Sequence, residues 1–182
     1  NIVINWNFPR DNRSRGSKCY RQGLYKRAQE LAYSYKINKI PFKENDIVID
    51  CGANYGDLWI FLNNLNININ YYGFEPGIKE YQTLELNMKN SGTKIKSEIY
   101  KIGLGDSNCT KNFYYSPDDG DSSLIEISNF KSKLEIEVIK LDTFINNNIG
   151  EQKIKLLKLE AEGGEPEVLF GSKDKLNNIE YI

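Results

Sequence analysis

The apolar positions of this chain change period several times, and each change marks an element. Tyr20, Leu24, Ala28, Leu31 and Tyr35 recur at helical spacing and predict a helix closed off by Pro41. From Asp46 onward, short apolar runs alternate with helical stripes. Ile47–Ile49 reads as a strand ending in Asp50, and Leu58, Phe61, Leu62 and Leu65 as a helix running from about Tyr55 to Leu65. A second strand, Tyr71–Phe74, leads to a helix carrying Ile78, Tyr81, Leu84 and Met88 that stops before Ser91-Gly92. A third strand falls near Ile95–Ile102. Strand and helix in alternation predict a parallel sheet with crossover helices.

The pattern then becomes strand-rich. Asn112–Ser116, Leu124–Ile127 and Leu134–Ile139 are strand-like, and Pro117-Asp118-Asp119-Gly120 is a turn signal. These predict an antiparallel hairpin insertion, at a sheet edge or over the site. A short helix near Leu141–Ile145 leads to a strong strand, Ile154–Ala161, and Pro166 opens a further helix that Gly171 ends. The fold class is therefore α/β: a Rossmann-like sheet with helices on both faces, a β-hairpin inserted before the fourth core strand, and an N-terminal helical segment. Residues 1–45 form an N-terminal arm and helix, a lid or a substrate segment, and residues 46–182 the main domain. The chain begins at Asn1 and stops at Ile179-Glu180-Tyr181-Ile182, which reads as a strand cut short. Both ends of a longer protein are expected to be missing.

Composition narrows the chemistry. With 182 residues and 40% apolar content, the chain can build one core, with at most a small appendage. No apolar run of about 18 residues exists, so no helical membrane span is expected. There is no histidine, which removes the commonest general base and metal ligand. Cys19, Cys51 and Cys109 are widely spaced and form no CxxC pair, so a structural zinc site is not expected, and a divalent metal held by Glu160, Glu162 and a nearby acid stays open without metal spacing to support it. Cys51 reads as a small core residue, and the chain as cytoplasmic. The net charge of −1 is unevenly spread: residues 1–45 carry +7 and residues 46–182 carry −8. All the arginines, Arg10, Arg13, Arg15, Arg21 and Arg27, lie early. Guanidinium forks suit carboxylates and phosphates, so this segment reads either as an anion-binding region, for substrate or nucleic acid, or as a solvated arm.

Three segments carry chemistry. Asp50-Cys51-Gly52-Ala53-Asn54-Tyr55-Gly56 places a glycine loop between a strand and a helix, where an open α/β sheet binds nucleotide-like ligands. Its spacing is not the dinucleotide G-x-G-x-x-G, which disfavours a dehydrogenase; it resembles motif I of class I S-adenosylmethionine-dependent methyltransferases. Glu75 closes the second strand twenty-five residues on, where an acid can accept hydrogen bonds from both ribose hydroxyls. In Leu157-Lys158-Leu159-Glu160-Ala161-Glu162-Gly163-Gly164-Glu165, strand alternation puts Lys158, Glu160 and Glu162 on one side, the acids at the carboxyl end. Acids there are costly to bury without partners, which points to function for at least one.

Together these segments resemble the FkbM-type methyltransferase family, with its D-x-G-A-N-x-G loop, its F-E-P after the second strand (Phe74-Glu75-Pro76), and its L-K-I-D-x-E-G-x-E strand end. The likeness extends to Leu86-Asn87 to Asn90, Ser122-Ser123-Leu124, Leu141-Asp142-Thr143-Phe144 and Val168-Leu169-Phe170-Gly171, covering about residues 46–182. Glu160 departs from it, standing where the family usually has Asp, and residues 1–45 match no family motif. The resemblance implies S-adenosyl-L-methionine as cofactor. It also implies O-methylation of a hydroxyl on a small molecule or glycan.

On that reading Asp50, Gly52, Asn54, Tyr55 and Gly56 belong to the cofactor loop, whose backbone holds the methionine portion. Glu75 and Pro76 take the ribose, and Gly103, Leu104 and Asp106 line the adenine. Glu160 or Glu162 accepts the hydroxyl proton or orients the acceptor; Lys158 and Tyr55 are further candidates. Two other classes stay open: an RNA methyltransferase gripping phosphates with its arginines, and a non-catalytic nucleotide-binding domain of the same fold. Acceptor specificity is expected in residues 112–139 and in the N-terminal segment. Oligomeric state is not encoded in any motif.

Overall fold

The structure is a computed structural model and describes residues 20–91, 93–116, 122–126 and 130–182. Cys19, the three earliest arginines, the 117–120 turn and Ile127 lie outside the described residues. Helix α1 (Leu24–Ser34) is followed by β1 (Ile47–Cys51), α2 (Asp57–Asn63), β2 (Asn70–Phe74), α3 (Ile78–Asn90) and β3 (Lys96–Tyr100). Then come β4 (Gly103–Gly105), β5 (Cys109–Tyr115), β6 (Ser132–Lys140), α4 (Leu141–Asn148), β7 (Ile154–Leu159), α5 (Glu165–Phe170) and β8 (Ile179–Tyr181).

Five strands form a parallel sheet in the order β3-β2-β1-β7-β8. β1 lies where the strand order reverses, between β2 and β7. Such a switch point opens a crevice beyond the carboxyl ends of the strands. The residues of β1 are buried throughout, as expected of a strand covered on both faces. Val48 joins a cluster with Leu24, Leu31, Leu58, Trp59, Tyr71 and Leu156 under α1 and α2. Ile47, Ile49 and Cys51 face the other way, into a cluster with Phe74, Phe144, Ile145, Leu157 and Val168 under α4 and α5. The fold is thus Rossmann-like, with helices on both faces of the sheet.

The insertion before β7, the fourth strand of that sheet, is a second sheet ordered β4-β6-β5, in which β5 and β6 pair antiparallel and β4 joins β6 in parallel. The expected third strand ends early, at Tyr100: Lys101 and Ile102 leave the main sheet, and β4 follows as a separate strand paired to β6. Leu124 and Ile125 form a bend rather than a strand; only Ser123 bridges, to Tyr114.

Two helices depart from the expected faces. α2 is buried nearly all round, including Asp57, Trp59 and Ile60, because it lies between the sheet and α1, while Leu65 falls outside it and is exposed. α3 turns Glu80, Leu84 and Asn87 inward and leaves Ile78 exposed. Those polar groups are buried with partners: Tyr115 Oη donates to Glu80 at 3.0 Å, and Asn87 Nδ2 donates to the Tyr55 carbonyl at 2.8 Å. β7 also ends earlier than expected. The Glu160 N–H still donates to the Cys51 carbonyl (3.1 Å), but Glu162 has φ +47° in the turn beyond. Strand alternation therefore reaches Glu160 and not Glu162. No helix among the described residues is long and apolar enough to cross a membrane.

Candidate functional site

A cavity of about 520 Å³ opens beyond the carboxyl ends of β1, β2 and β7. Ligand sites commonly measure about 300–1,000 Å³. On one side it is lined by Gly52 and Asn54 of the glycine loop and by Glu75 and Pro76. Gly103 and Leu104 form a second wall, and Glu160 and Glu162 a third.

The loop packs so closely on β7 that Gly52 has no room for a side chain: at φ +74°, a Cβ would lie 2.0 Å from the Glu160 carbonyl oxygen. Its amides are engaged within the protein. Gly52 and Ala53 N–H both donate to the Phe74 carbonyl at 3.0 Å, Gly56 N–H donates to Ala53, and Asn54 N–H donates to Glu75 Oε2 at 2.8 Å. Glu75 Oε1 accepts the Gly77 N–H at 2.8 Å. Two backbone donors therefore fix the Glu75 carboxylate at the cavity wall. Burial and the neighbouring Glu80 carboxylate still push it up to about 7.

Beneath the loop, Asp50, Lys158 and Tyr71 lie on one face of the sheet, with Asp50 and Lys158 side by side in register. Lys158 Nζ pairs with Asp50 Oδ1 at 3.1 Å and Glu160 Oε2 at 3.0 Å, and donates to the Gly52 carbonyl at 2.6 Å. Tyr71 Oη donates to Asp50 Oδ2 at 2.7 Å. Burial alone would lower Lys158, but the Asp50 and Glu160 carboxylates raise it above the ordinary lysine range. The Lys158 ammonium thereby ties Glu160 and the loop to Asp50. Glu160 feels desolvation upward, yet Lys158 holds it below the usual carboxylate range. Burial raises Asp50, partly offset by Lys158.

Several residues expected at the cofactor stand behind the cavity wall. Asp50 is fully buried, Tyr55 packs against Tyr20 with ring centroids 5.1 Å apart, and the space beside Gly56 is filled by Leu84. Asp106 is exposed and pairs with Lys111 at 2.8 Å. Conversely, the wall includes residues that no motif announced: Tyr20, Arg27 and Tyr35 from the N-terminal segment, Phe113 from the insertion, and Glu80. Only the general expectation that those two regions flank the site pointed to them. Tyr35 Oη donates to Glu160 Oε1 at 3.2 Å, and Arg27 Nε donates to Asp57 Oδ2 at 3.2 Å. The N-terminal helix thus packs on α2 and forms part of the cavity wall. Among the described residues no cluster of three metal-ligating side chains occurs.

A parallel sheet with a glycine loop after β1, an acid after β2 and a cavity at the switch point defines the α/β class whose ligands sit beyond the carboxyl ends of the strands. Within that class, the chain belongs to the FkbM methyltransferase domain family, whose model matches residues 50–182. It is similar to Methyltransferase 1 of Beauveria bassiana (strain ARSEF 2860), at 21% identity over 74% of this chain and 61% of that protein. It is also similar to the 2-O-methyltransferase NoeI of Sinorhizobium fredii (strain NBRC 101917 / NGR234), at 23% identity over 90% of this chain and 72% of that protein. The chain therefore spans roughly three-fifths to three-quarters of the length of these relatives.

Proposed function

We propose that this chain is an S-adenosylmethionine-dependent methyltransferase of the cytoplasm, acting on a hydroxyl of a small molecule or glycan. The observation that carries the reading is Glu75, a carboxylate fixed by two backbone N–H groups at the cavity wall, one strand-helix-strand unit after the glycine loop. Ionised, it retains lone pairs for the two ribose hydroxyls. Gly103 and Leu104, with Phe113 and Leu124 from the insertion, supply an apolar wall suited to an adenine ring. One relative is named as a 2-O-methyltransferase, which supports an oxygen acceptor.

When bound, the cofactor supplies an electrophilic methyl on a sulfonium. The protein's contribution is then chiefly alignment. Glu160, held by Lys158 and Tyr35, accepts a hydrogen bond from the acceptor hydroxyl and fixes its direction. Glu162, exposed in the turn beyond, stands at the solvent side, where the hydroxyl proton leaves as the oxygen gains the methyl. Residues 46–182 form the cofactor domain and the preceding helix completes the cavity. An acid-lined wall disfavours a phosphate-rich acceptor such as RNA.

Isothermal titration with S-adenosylmethionine, with NAD as control, tests the reading. Selective binding is expected, and Glu75→Ala weakens it about tenfold or more through loss of charged hydrogen bonds. Unchanged affinity in Glu75→Ala removes the ribose role, and absence of binding in the wild type removes the cofactor assignment.

A further inference from the structure

Glu80 belongs to no motif, yet it is a buried carboxylate at the cavity wall beside Glu75. Residue 77 shows how near the two acids stand: a Cβ there would meet Glu75 Oε1 at 2.9 Å and run into Glu80 Oε2. Glycine leaves the space in which both carboxylates converge. Their partners differ. Glu75 accepts the Asn54 and Gly77 N–H groups, one on each oxygen. Glu80, in the first turn of α3, accepts its own backbone N–H and, at 3.0 Å, the hydroxyl of Tyr115 reaching over from β5. An acid in a first turn is ordinary helix chemistry. Here it is buried against a second acid, at a cost that an exposed cap would avoid.

Two carboxylates this close resist ionising together. We propose that Glu80 is a positioning residue for the cofactor: its charge holds a proton on Glu75, and the ribose diol binds as that proton leaves to solvent. This assignment rests on the S-adenosylmethionine reading above and adds to it a residue that acts through Glu75. The pair titrates as a unit. Tyr115, the Glu80 N–H and the charge of Lys79 all favour ionised Glu80, so the shared proton falls to Glu75, which burial and Glu80 push up to about 7. Lys158 on β7 draws Glu75 the other way, by less than Glu80 raises it. The remaining titratable groups around the pair are Cys51 of β1, Tyr55 of the loop, Tyr71 of β2 and Tyr115 itself. Burial raises all four, so they stay neutral near pH 7. A protonated Glu75 has lost the charge that strengthens its hydrogen bonds to the two ribose hydroxyls.

The test is a pH profile of affinity. Wild type, Glu80→Gln and Tyr115→Phe are titrated calorimetrically with S-adenosylmethionine between about pH 5.5 and 8, the window around the Glu75 titration. The ratio of variant to wild-type affinity at each pH cancels any titration of the ligand itself. Wild type is expected to gain about tenfold across the window, the worth of turning a neutral acceptor into a charged one. In Glu80→Gln the neighbouring charge is gone and Glu75 ionises at lower pH. This variant is expected to bind about three- to tenfold tighter than wild type near pH 6, the difference closing towards pH 8. Tyr115→Phe removes a hydrogen bond that favours ionised Glu80, and should move the profile the same way by less. If Glu80→Gln binds no tighter than wild type near pH 6, the proposal is overturned while the cofactor reading stands. If wild type binds no S-adenosylmethionine at any pH, the cofactor reading fails and the proposal with it. Should Glu80→Gln lose its fold by circular dichroism, Tyr115→Phe carries the same comparison, and an unmoved profile in it overturns the proposal.

Discussion

Lys158 carries more of this site than its motif suggested. Lys158 is 5% exposed, and its ammonium joins two carboxylates and a loop carbonyl, so two segments far apart in sequence, 50–52 and 158–160, are tied through one atom. Removing the cation leaves Asp50 buried without its counter-charge, and breaking such a pair costs about 3–5 kcal/mol. Lys158→Met is therefore expected to lower the urea midpoint sharply. The double variant Asp50→Asn/Lys158→Met, which removes both charges, is expected to recover much of that loss. A double variant no better than the single one would mean that Lys158 acts through packing alone. Glu160, paired and held low, is suited to orient a hydroxyl and poorly suited to strip it of a proton.

At the scale of elements, α5 and β4 meet through two glycines. Gly171 ends α5, as the sequence suggested, and does so with φ −73°, which any residue can adopt. The requirement is space: a Cβ at Gly171 would lie 1.9 Å from the Gly105 carbonyl oxygen. Gly171→Ala must push β4 away from α5, and with it the Gly103–Leu104 wall of the cavity. The expected loss is about 1–3 kcal/mol, the usual range for overpacking, measured by denaturant unfolding, with weakened nucleotide binding alongside. Stability unchanged within error would show that the contact yields without strain. The inward face of α3 makes a similar point. Glu80 and Asn87 take core positions because Tyr115 and the Tyr55 carbonyl await them, and a hydrophobic stripe cannot announce such partners.

Over the whole molecule, buried acids set the response to pH. Burial pushes Glu75 up to about 7 and Asp57 up to about 6, while Lys158 holds Glu160 low. An acid whose folded value exceeds its unfolded value binds protons more tightly when folded. Its contribution to stability is greatest below the unfolded value, near 4.3 for Glu. That contribution falls as pH rises towards the folded value. Glu75→Gln removes this term. Relative to wild type the variant should gain on the order of 2–3 kcal/mol between pH 5 and pH 8, read from urea unfolding at the two values. An equal difference at both pH values would show that Glu75 does not titrate in this window. Glu160 works in the opposite sense, stabilising above its unfolded value and losing that contribution on acidification.

Much of this protein was legible in the order of its residues. The alternation of short apolar runs with helical stripes determined a parallel α/β sheet, and the spacing of Asp50, Gly52, Gly56 and Glu75 pointed to the end of the sheet at which the cavity opens. These features are local, since a strand, a tight loop and a helix are written in consecutive residues. What only the tertiary structure decided is which groups are free to act. Pairing β1 beside β7 turns Asp50 and Lys158 into a buried ion pair, and the packing of the glycine loop on β2 consumes its amides. The docking of α1 on α2 brings Arg27 and Tyr35 to a cavity whose motifs begin more than a dozen residues later. Such contacts join side chains separated by up to 125 positions. Burial, partner and proton affinity depend on distances in space, and no pattern along the chain carries them.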